Sequence, residues 1–336
     1  MSAVPPATSP STLPAALEAA RRHRLRAWEA LPWVAALGAY FAFPAQLAFG
    51  TLVLVTILFA LSLDLVLGYA GIVTLGHAAF FGAGAYTVGM LAAHAGWTEP
   101  LSGLAAAAAV AGLLGLGSGW VLLRTQGLTL LMLTLSTMAL LEQAANMFAS
   151  WTGGFDGMPG LEFKPILGLF GFDVLYFRSQ YLYALVVLFL GFVVLRTVAY
   201  SSFGRSLTGI RENLLRMHAV GAPVRARQRA AYAISAAIAG VAGAVFVQTT
   251  GYLNLGVLSL DRSAGVLIIL ILGGYGRLYG AFVGALAYML LEHSLSKAYP
   301  TAWQLGLGLL LMAVALYARN GILGLAAAWR RKWAAR

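Results

Sequence analysis

The chain of 336 residues contains no cysteine. Disulfide bonds and thiolate-based metal or redox sites are therefore excluded. Charged residues are also scarce, at 10% of the chain, whereas a soluble globular protein carries about 25%. Hydrophobic residues make up 60% of the sequence and the mean hydropathy is +0.82. These proportions exclude an ordinary soluble domain and predict an all-α integral membrane protein.

Motifs for catalysis and nucleotide binding are missing as well. The sequence has no HExxH, GxSxG or GxxxxGK[ST] pattern, so it cannot bind ATP through a P-loop of its own. Its histidines are scattered, which argues against a metal site: His23, His77, His94, His218 and His293. We expect no catalytic residue, no metal and no cofactor bound by this chain.

Acidic residues are half as frequent as basic ones, 11 against 22, which gives a net charge of +11. Such an excess can indicate nucleic-acid binding, but in a protein with many membrane spans it marks cytoplasmic loops. We therefore expect no nucleic-acid partner.

A membrane-crossing helix needs about 20 apolar residues. The sequence predicts about ten such spans within a transmembrane domain at 31–318, with soft boundaries that also allow nine. The segment 263–275 is too short to cross alone, at roughly 20 Å. The predicted spans are 31–49, 52–68, 77–95, 101–123, 127–149, 181–199, 229–249, 263–275, 278–295 and 301–318.

The basic residues predict the orientation of these spans. With the N-terminus inside and ten crossings, all lysines and arginines fall on the inner side except Lys164, Arg178, Arg262 and Lys297. Both termini are then cytoplasmic. Residues 1–30 form an N-terminal extension, partly disordered, with a basic helix that either binds anionic membrane lipid or is a solvated flank. Residues 319–336 form a basic tail.

Two loops are long enough to carry function. The outer loop, 150–180, begins with SWTGGFDGMPG, whose glycines predict turns. The inner loop, 200–228, places apolar residues on one stripe of a helix, and Gly221 with Pro223 ends it. That helix either docks into a cytoplasmic partner or lies on the bilayer as a basic loop. The stripe consists of Leu207, Ile210, Leu214 and Met217.

Three acidic residues fall within predicted spans, where a charge is costly unless paired or solvated. Asp64 and Glu292 lie near span ends, which favours structural roles. Glu142 is further inside, and its helix is polar on one side. We expect that helix to line a wet cavity, with Thr134, Ser136 and Thr137 beside Glu142.

Two apolar segments, 67–86 and 272–291, are each interrupted by glycine and tyrosine and then resume as small-residue helices. Paired interruptions of this kind indicate an internal pseudo-repeat and a transport pathway beside Gly-broken helices. We expect His77 to cap or bond exposed backbone at the first break, ahead of a proton-carrying role. The break glycines are Gly68, Gly71, Gly76, Gly273, Gly274 and Gly276.

Five motifs, in order, resemble the LivM-type permease subunits of bacterial ABC importers for branched-chain amino acids and related solutes. They are GYAGIVTLGHAAFFGAGAYT, RTQGLTLLMLTLS, TGGFDGMPG, SSFGRSLTGIRENLLRMHAVG and ILGGYGRLYGAFVGAL, and the resemblance covers about residues 45–325. It implies a type II importer fold in the bacterial inner membrane. It also implies a second, LivH-like permease, two subunits that bind ATP and magnesium, and a periplasmic solute-binding protein.

The resemblance also assigns roles to residues. The helix at 205–221 would be the coupling helix that contacts the ATPase, although Met217-His218-Ala219-Val220 departs from the family's usual run. Its expected contacts are Arg205, Arg211, Glu212, Asn213, Arg216 and Gly221. The expected periplasmic turn is Gly153, Gly154, Asp156 and Gly157.

Two rival functions follow from the residues alone. A stand-alone ion-coupled secondary transporter or channel would use Asp64 and Glu142 as ion sites. A membrane-embedded transferase would need a cluster of catalytic groups, for which only the loop 205–229 is a candidate. The solute is not named by the sequence: a branched-chain amino acid, urea, an amide or an aromatic acid all suit the resemblance. With no charge firmly at a pathway centre, we expect a zwitterionic or neutral solute.

Overall fold

The computed structural model describes residues 30–164 and 177–300, together with isolated positions between 305 and 324. The predicted N-terminal extension, the tail and most of the last predicted span lie outside these residues, as does part of the loop 150–180.

Within the described ranges the chain is α-helical, with no β-strand. The one isolated bridge there joins Met158 to Leu253. The α-helices are α1 (Leu31–Ala42), α2 (Leu47–Asp64), α3 (Ala78–Ala95), α4 (Pro100–Leu122), α5 (Leu128–Met147), α6 (Ala149–Thr152), α7 (Phe177–Tyr200), α8 (Ser202–Glu212), α9 (Leu214–Ala219), α10 (Val224–Thr250), α11 (Leu260–Gly273) and α12 (Leu278–Ala298). A π-helical turn, Leu65–Tyr69, extends α2. The predicted all-α membrane architecture is confirmed.

The predicted count of ten spans is not confirmed, because seven described helices are long and apolar enough to cross a membrane. The first predicted span, 31–49, is divided. Helix α1 stops at Ala42 and Pro44 begins a separate short turn, since proline has no N–H for the helix ladder. Twelve residues cover only about 18 Å. Helix α11 is short as predicted, with fourteen residues.

Small residues hold α3, α4 and α10 together. Helix α4 buries Gly103, Ala107, Ala111, Gly115 and Gly119, one residue in each turn. On α10, Gly240 lies against Ala107 and Ala111 of α4 on one side and Gly84 of α3 on the other. Side chains this small allow helix backbones to approach closely, which is how membrane helices gain packing energy.

Two irregular segments enter the bundle. Residues 71–77 run without helical structure between the π-turn and α3, and residues 251–259 lead from α10 to α11. They bring the first residues of α3 and α11 together, where the backbone N–H of Ala78 donates to Ser263 Oγ at 2.8 Å. Irregular backbone inside a membrane bundle survives only where protein or a wet cavity satisfies it.

Candidate functional site

The two glycine breaks contact each other. A side chain at Gly68 would collide with the backbone N of Gly276, so only glycine permits this approach. The Asp64 carboxylate, fully buried, accepts a hydrogen bond from the Gly276 N–H at 2.6 Å. Gly71 and Gly276 both have positive φ, at 71° and 75°, a backbone conformation in which residues other than glycine are strained. Asp64 is therefore a buried acceptor for the backbone of the second break.

Arg211 reaches this contact from α8. Its guanidinium Nη1 donates to the backbone oxygen of Gly68. A side chain at Gly71 would lie 2.5 Å from Arg211 Cγ, and one at Gly276 would lie 3.0 Å from Nη1. We call this set of residues, Asp64, Gly68, Gly71, Arg211 and Gly276, the glycine junction. It joins both broken helices to the loop that the sequence predicts as the coupling element.

The other break glycines pack against neighbouring backbone. A side chain at Gly76 would collide with the Thr134 backbone of α5, and the N–H of Leu75 donates to Thr134 Oγ1 at 3.3 Å. Gly273 lies against Gly280 of α12, and Gly274, with φ 102°, ends α11. These glycines permit the reversal between α11 and α12, as predicted.

His77 occupies the position before α3, but its side chain does not cap the helix. Its Nε2 lies 2.9 Å from Ser62 Oγ, and the ring stacks on Phe59 with centroids 5.4 Å apart. The ring is buried, and Nδ1 has no hydrogen-bond partner among the residues that the structure describes. The expected bond to exposed backbone is therefore wrong; the hydroxyl of Ser62 takes that place because α2 lies directly beside the break.

The inner loop is not a single helix. Asn213 adopts extended backbone between α8 and α9, and its Oδ1 accepts from the Arg216 N–H at 2.9 Å, which caps α9. Ser201 caps α8 in the same way. The predicted apolar stripe packs inward at Leu207 and Ile210, which are buried. We call residues 202–219 the α8–α9 segment.

The outer surface of this segment carries the remaining predicted contact residues. Arg205, Glu212 and Arg216 are exposed, and Gly221, with φ 79°, follows the end of α9. Two apolar side chains accompany them: Leu215 is 80% exposed and Val220 77% exposed. Arg211 differs from the others, because its guanidinium turns toward the glycine junction. Arg211 is nevertheless exposed as well, and its contact with an ATPase stays a prediction.

The predicted glycine turn is present between α6 and Met158. Gly153, Gly154 and Gly157 all have positive φ, and Thr152 Oγ1 accepts from the Gly154 N–H at 3.3 Å. Asp156 is exposed at the tip of the turn. Met158 then pairs with Leu253, so the turn is fixed to the segment that leads into α11.

The side chain of Glu142 is half-buried on the flank of α5, and the expectation that this helix lines a wet cavity stays a prediction. Thr134 is buried, whereas an entire face of α5 is exposed. We call that face the α5 seam; its residues alternate at spacings of three and four, as in a helix that packs on another helix. They are Thr129, Met132, Ser136, Ala139, Gln143 and Asn146.

Sequence reasoning missed a second polar group, Arg262 with Glu292. Both were placed near the outer surface, but they line one cavity of about 750 Å³ between α2, α10, α11 and α12. The short length of α11 could have indicated this group. A helix too short to cross the membrane alone begins within it, so the residues at its start lie inside the bundle. Arg262 is the third residue of that helix.

Comparison with known proteins agrees with the resemblance read from the motifs. The family model described as "Branched-chain amino acid transport system / permease component" matches residues 46–316. The high-affinity branched-chain amino acid transport system permease protein LivM of Escherichia coli is 29% identical over an alignment of 297 residues, and the match covers 81% of this chain and 68% of that protein. The LivM protein of Salmonella typhimurium matches with the same identity and coverage. No solved structure matches the chain.

Proposed function

Since the chain belongs to the family of permease components of branched-chain amino acid transport systems, we propose that it is the transmembrane subunit of an ATP-driven ABC importer. Its solute is a branched-chain amino acid or a related small polar molecule, such as urea, an amide or an aromatic acid. The role is translocation in the bacterial inner membrane, and ATP with magnesium binds to separate subunits.

The observation that carries the proposal is the attachment of the α8–α9 segment to both broken helices. Arg211 bonds to Gly68 of the first break and lies close to Gly276 of the second, while Glu212, Leu215 and Arg216 face outward. A partner that grips the outward face can thus move the glycine junction. We infer that the partner is a cytoplasmic ATPase subunit and that this end of the bundle, with both termini, is cytoplasmic.

The α5 seam supports a second permease subunit. Among the candidate spans, α5 has the lowest share of buried residues, 17%, and its exposed face includes Ser136, Gln143 and Asn146. Polar groups facing lipid are costly, whereas against a second protein, with water between, they are satisfied. We infer that the pathway runs between this seam and a LivH-like partner.

The glycine turn supports a docking position for a solute-binding protein. It lies at the other end of α5 from the α8–α9 segment, and exposes Phe155 and Asp156. In the proposed cycle the binding protein releases solute at this end. Movement of the α8–α9 segment, driven by ATP binding in the partner subunits, then changes which end of the pathway is open.

A native pull-down tests the proposal. The chain, tagged at its C-terminus in the source cell, is solubilised in mild detergent and its partners are identified by mass spectrometry. Recovery of a second permease and two P-loop ATPases is the expected result. Recovery of the chain alone, combined with uptake of solute by the purified chain without ATP, would contradict it and favour an ion-coupled secondary transporter.

A further inference from the structure

The cavity around Arg262 is bordered by α2, α3, α10, α11 and α12 and opens to the surface at Asp261. Gly273 ends α11 close to the glycine junction, and Arg262 lies eleven residues earlier in the same helix. At 1.5 Å for each residue it is about 17 Å from that end. With the glycine junction at the cytoplasmic end of the bundle, as proposed above, Arg262 is near the middle of an apolar layer of about 30 Å. Glu292 reaches the same depth, because α12 runs antiparallel to α11 with Gly284 against Ile269. Ionisable groups at such depth are functional candidates.

Arg262 is held in place by aromatic rings. Its guanidinium carbon lies 5.1 Å from the centroid of Phe81 and 4.8 Å from that of Phe246. Cation–π contacts of this kind fix the position of a cation without using its N–H groups. The guanidinium donates no hydrogen bond to any residue that the structure describes, and it lines the cavity. Toward the described part of the chain its donors are unused, and the proposal below gives them an anionic partner.

Opposite charge lies within the same cavity. Glu292 is close enough to interact electrostatically with Arg262, and Asp261 also lines the space. The hydroxyl of Tyr288 lies on the same wall. Beside these groups the wall is apolar, with Leu52, Phe59, Ile269 and Met289. A volume of about 750 Å³ is within the usual range for small-molecule sites.

We propose that this cavity binds a zwitterion with an apolar chain. The anionic group meets the Arg262 guanidinium in a charge-assisted hydrogen bond, the ammonium group lies by Glu292 and Asp261, and the apolar chain packs on the Phe59 wall. Two molecules share this chemistry: an apolar α-amino acid and the headgroup of phosphatidylethanolamine. Identification of the zwitterion as a transported amino acid rests on the proposed function; the site itself does not.

Binding is measured on the full chain, with any subunits that co-purify, in nanodiscs of phosphatidylglycerol alone. L-[³H]leucine is the probe. We expect saturable binding that leucinamide, which lacks the carboxylate, and 4-methylpentanoate, which lacks the ammonium, displace at least 10-fold less well than unlabelled leucine. This competition needs no variant and so does not depend on the folding of one. A second set of nanodiscs containing phosphatidylethanolamine is analysed for retained lipid by native mass spectrometry.

Arg262→Gln and Glu292→Gln are each expected to weaken binding at least 10-fold. Arg124→Gln is the matched control: Arg124 also makes a cation–π contact, with Trp120 at 4.0 Å, but does not line the cavity. If the parent chain binds leucine and both variants bind it at least 10-fold more weakly, the ligand of the cavity is an amino acid. Retention of phosphatidylethanolamine by the parent chain but not by Arg262→Gln assigns the lipid headgroup.

Three results would overturn the site. They are the absence of both leucine binding and retained phosphatidylethanolamine, unchanged leucine binding in Arg262→Gln, and displacement by leucinamide equal to that by leucine. A complete importer in the pull-down combined with no zwitterion binding here would leave the proposed function intact. Zwitterion binding by a chain that has no ATPase partner would instead support the site and contradict the importer.

Discussion

The carboxylate of Asp64 accepts a hydrogen bond from the backbone N–H of Gly276, 212 residues later in the chain. Asp64→Ala removes this acceptor and leaves a buried N–H without a partner, which costs about 1–3 kcal/mol. Asp64→Asn keeps an oxygen in the same place and should retain most of the stability. Thermal unfolding in detergent measures both. Equal unfolding temperatures for the two variants would show that the bond does not stabilise the fold.

Gly68→Ala tests the close approach of the two breaks. The new side chain would collide with Gly276, so we expect a loss of about 1–3 kcal/mol in stability and a smaller folded fraction in size-exclusion chromatography. Gly38→Ala is the control, since nothing lies within 4 Å of a side chain there. Because alanine favours helix, that variant should be neutral or slightly more stable. Similar losses in both variants would refute the junction.

The α8–α9 segment predicts two distinguishable defects. Replacement of Glu212 and Arg216 by alanine alters only exposed side chains, so the unfolding temperature should not change. Under the proposed function, ATP hydrolysis should become uncoupled from transport, with uptake at least 10-fold lower. Unchanged uptake and solute-stimulated hydrolysis would mean that these side chains are not coupling contacts.

Arg211→Ala should behave differently, because it removes a charged donor from Gly68. We expect a loss of about 1–3 kcal/mol in the free energy of unfolding, measured by denaturant titration in detergent, with uptake lowered as well. Arg205→Ala, at an exposed position in the same helix, is the control. If Arg211→Ala left stability unchanged, the guanidinium would not hold the junction.

The α5 seam is suited to single-cysteine experiments, because the natural chain has no cysteine. Gln143→Cys, labelled with a maleimide benzophenone, should cross-link to a second permease subunit in membranes. Leu113→Cys on α4 is the control; that side chain is 67% exposed, and we expect it to face lipid. Equal cross-linking from both positions, detected by mass shift and peptide sequencing, would remove the evidence for a seam.

Hydropathy and glycine spacing predicted the helices and the two breaks, because both depend on local sequence. The contact between Gly68 and Gly276, and the place of Arg211 between them, depend on packing across distant parts of the chain, which no local pattern encodes. The break at Asn213 could not be predicted for another reason. The apolar residues from Leu207 to Met217 keep helical spacing in the sequence although the helix is interrupted between them. The cavity shared by Arg262 and Glu292 was missed because hydropathy assigns charges to loops and does not reveal the aromatic rings that contact this arginine.

The packing of α3, α4 and α10 restricts how the chain can move. A side chain added at Gly84 or Gly243 would collide with the backbone of the neighbouring helix, and one added at Gly115 would collide with Ala236. Helices in such contact cannot shear past one another, because the ridges of one backbone already fill the grooves of the next. These three helices therefore move as one rigid block. Any movement that opens the chain must therefore take place outside this block.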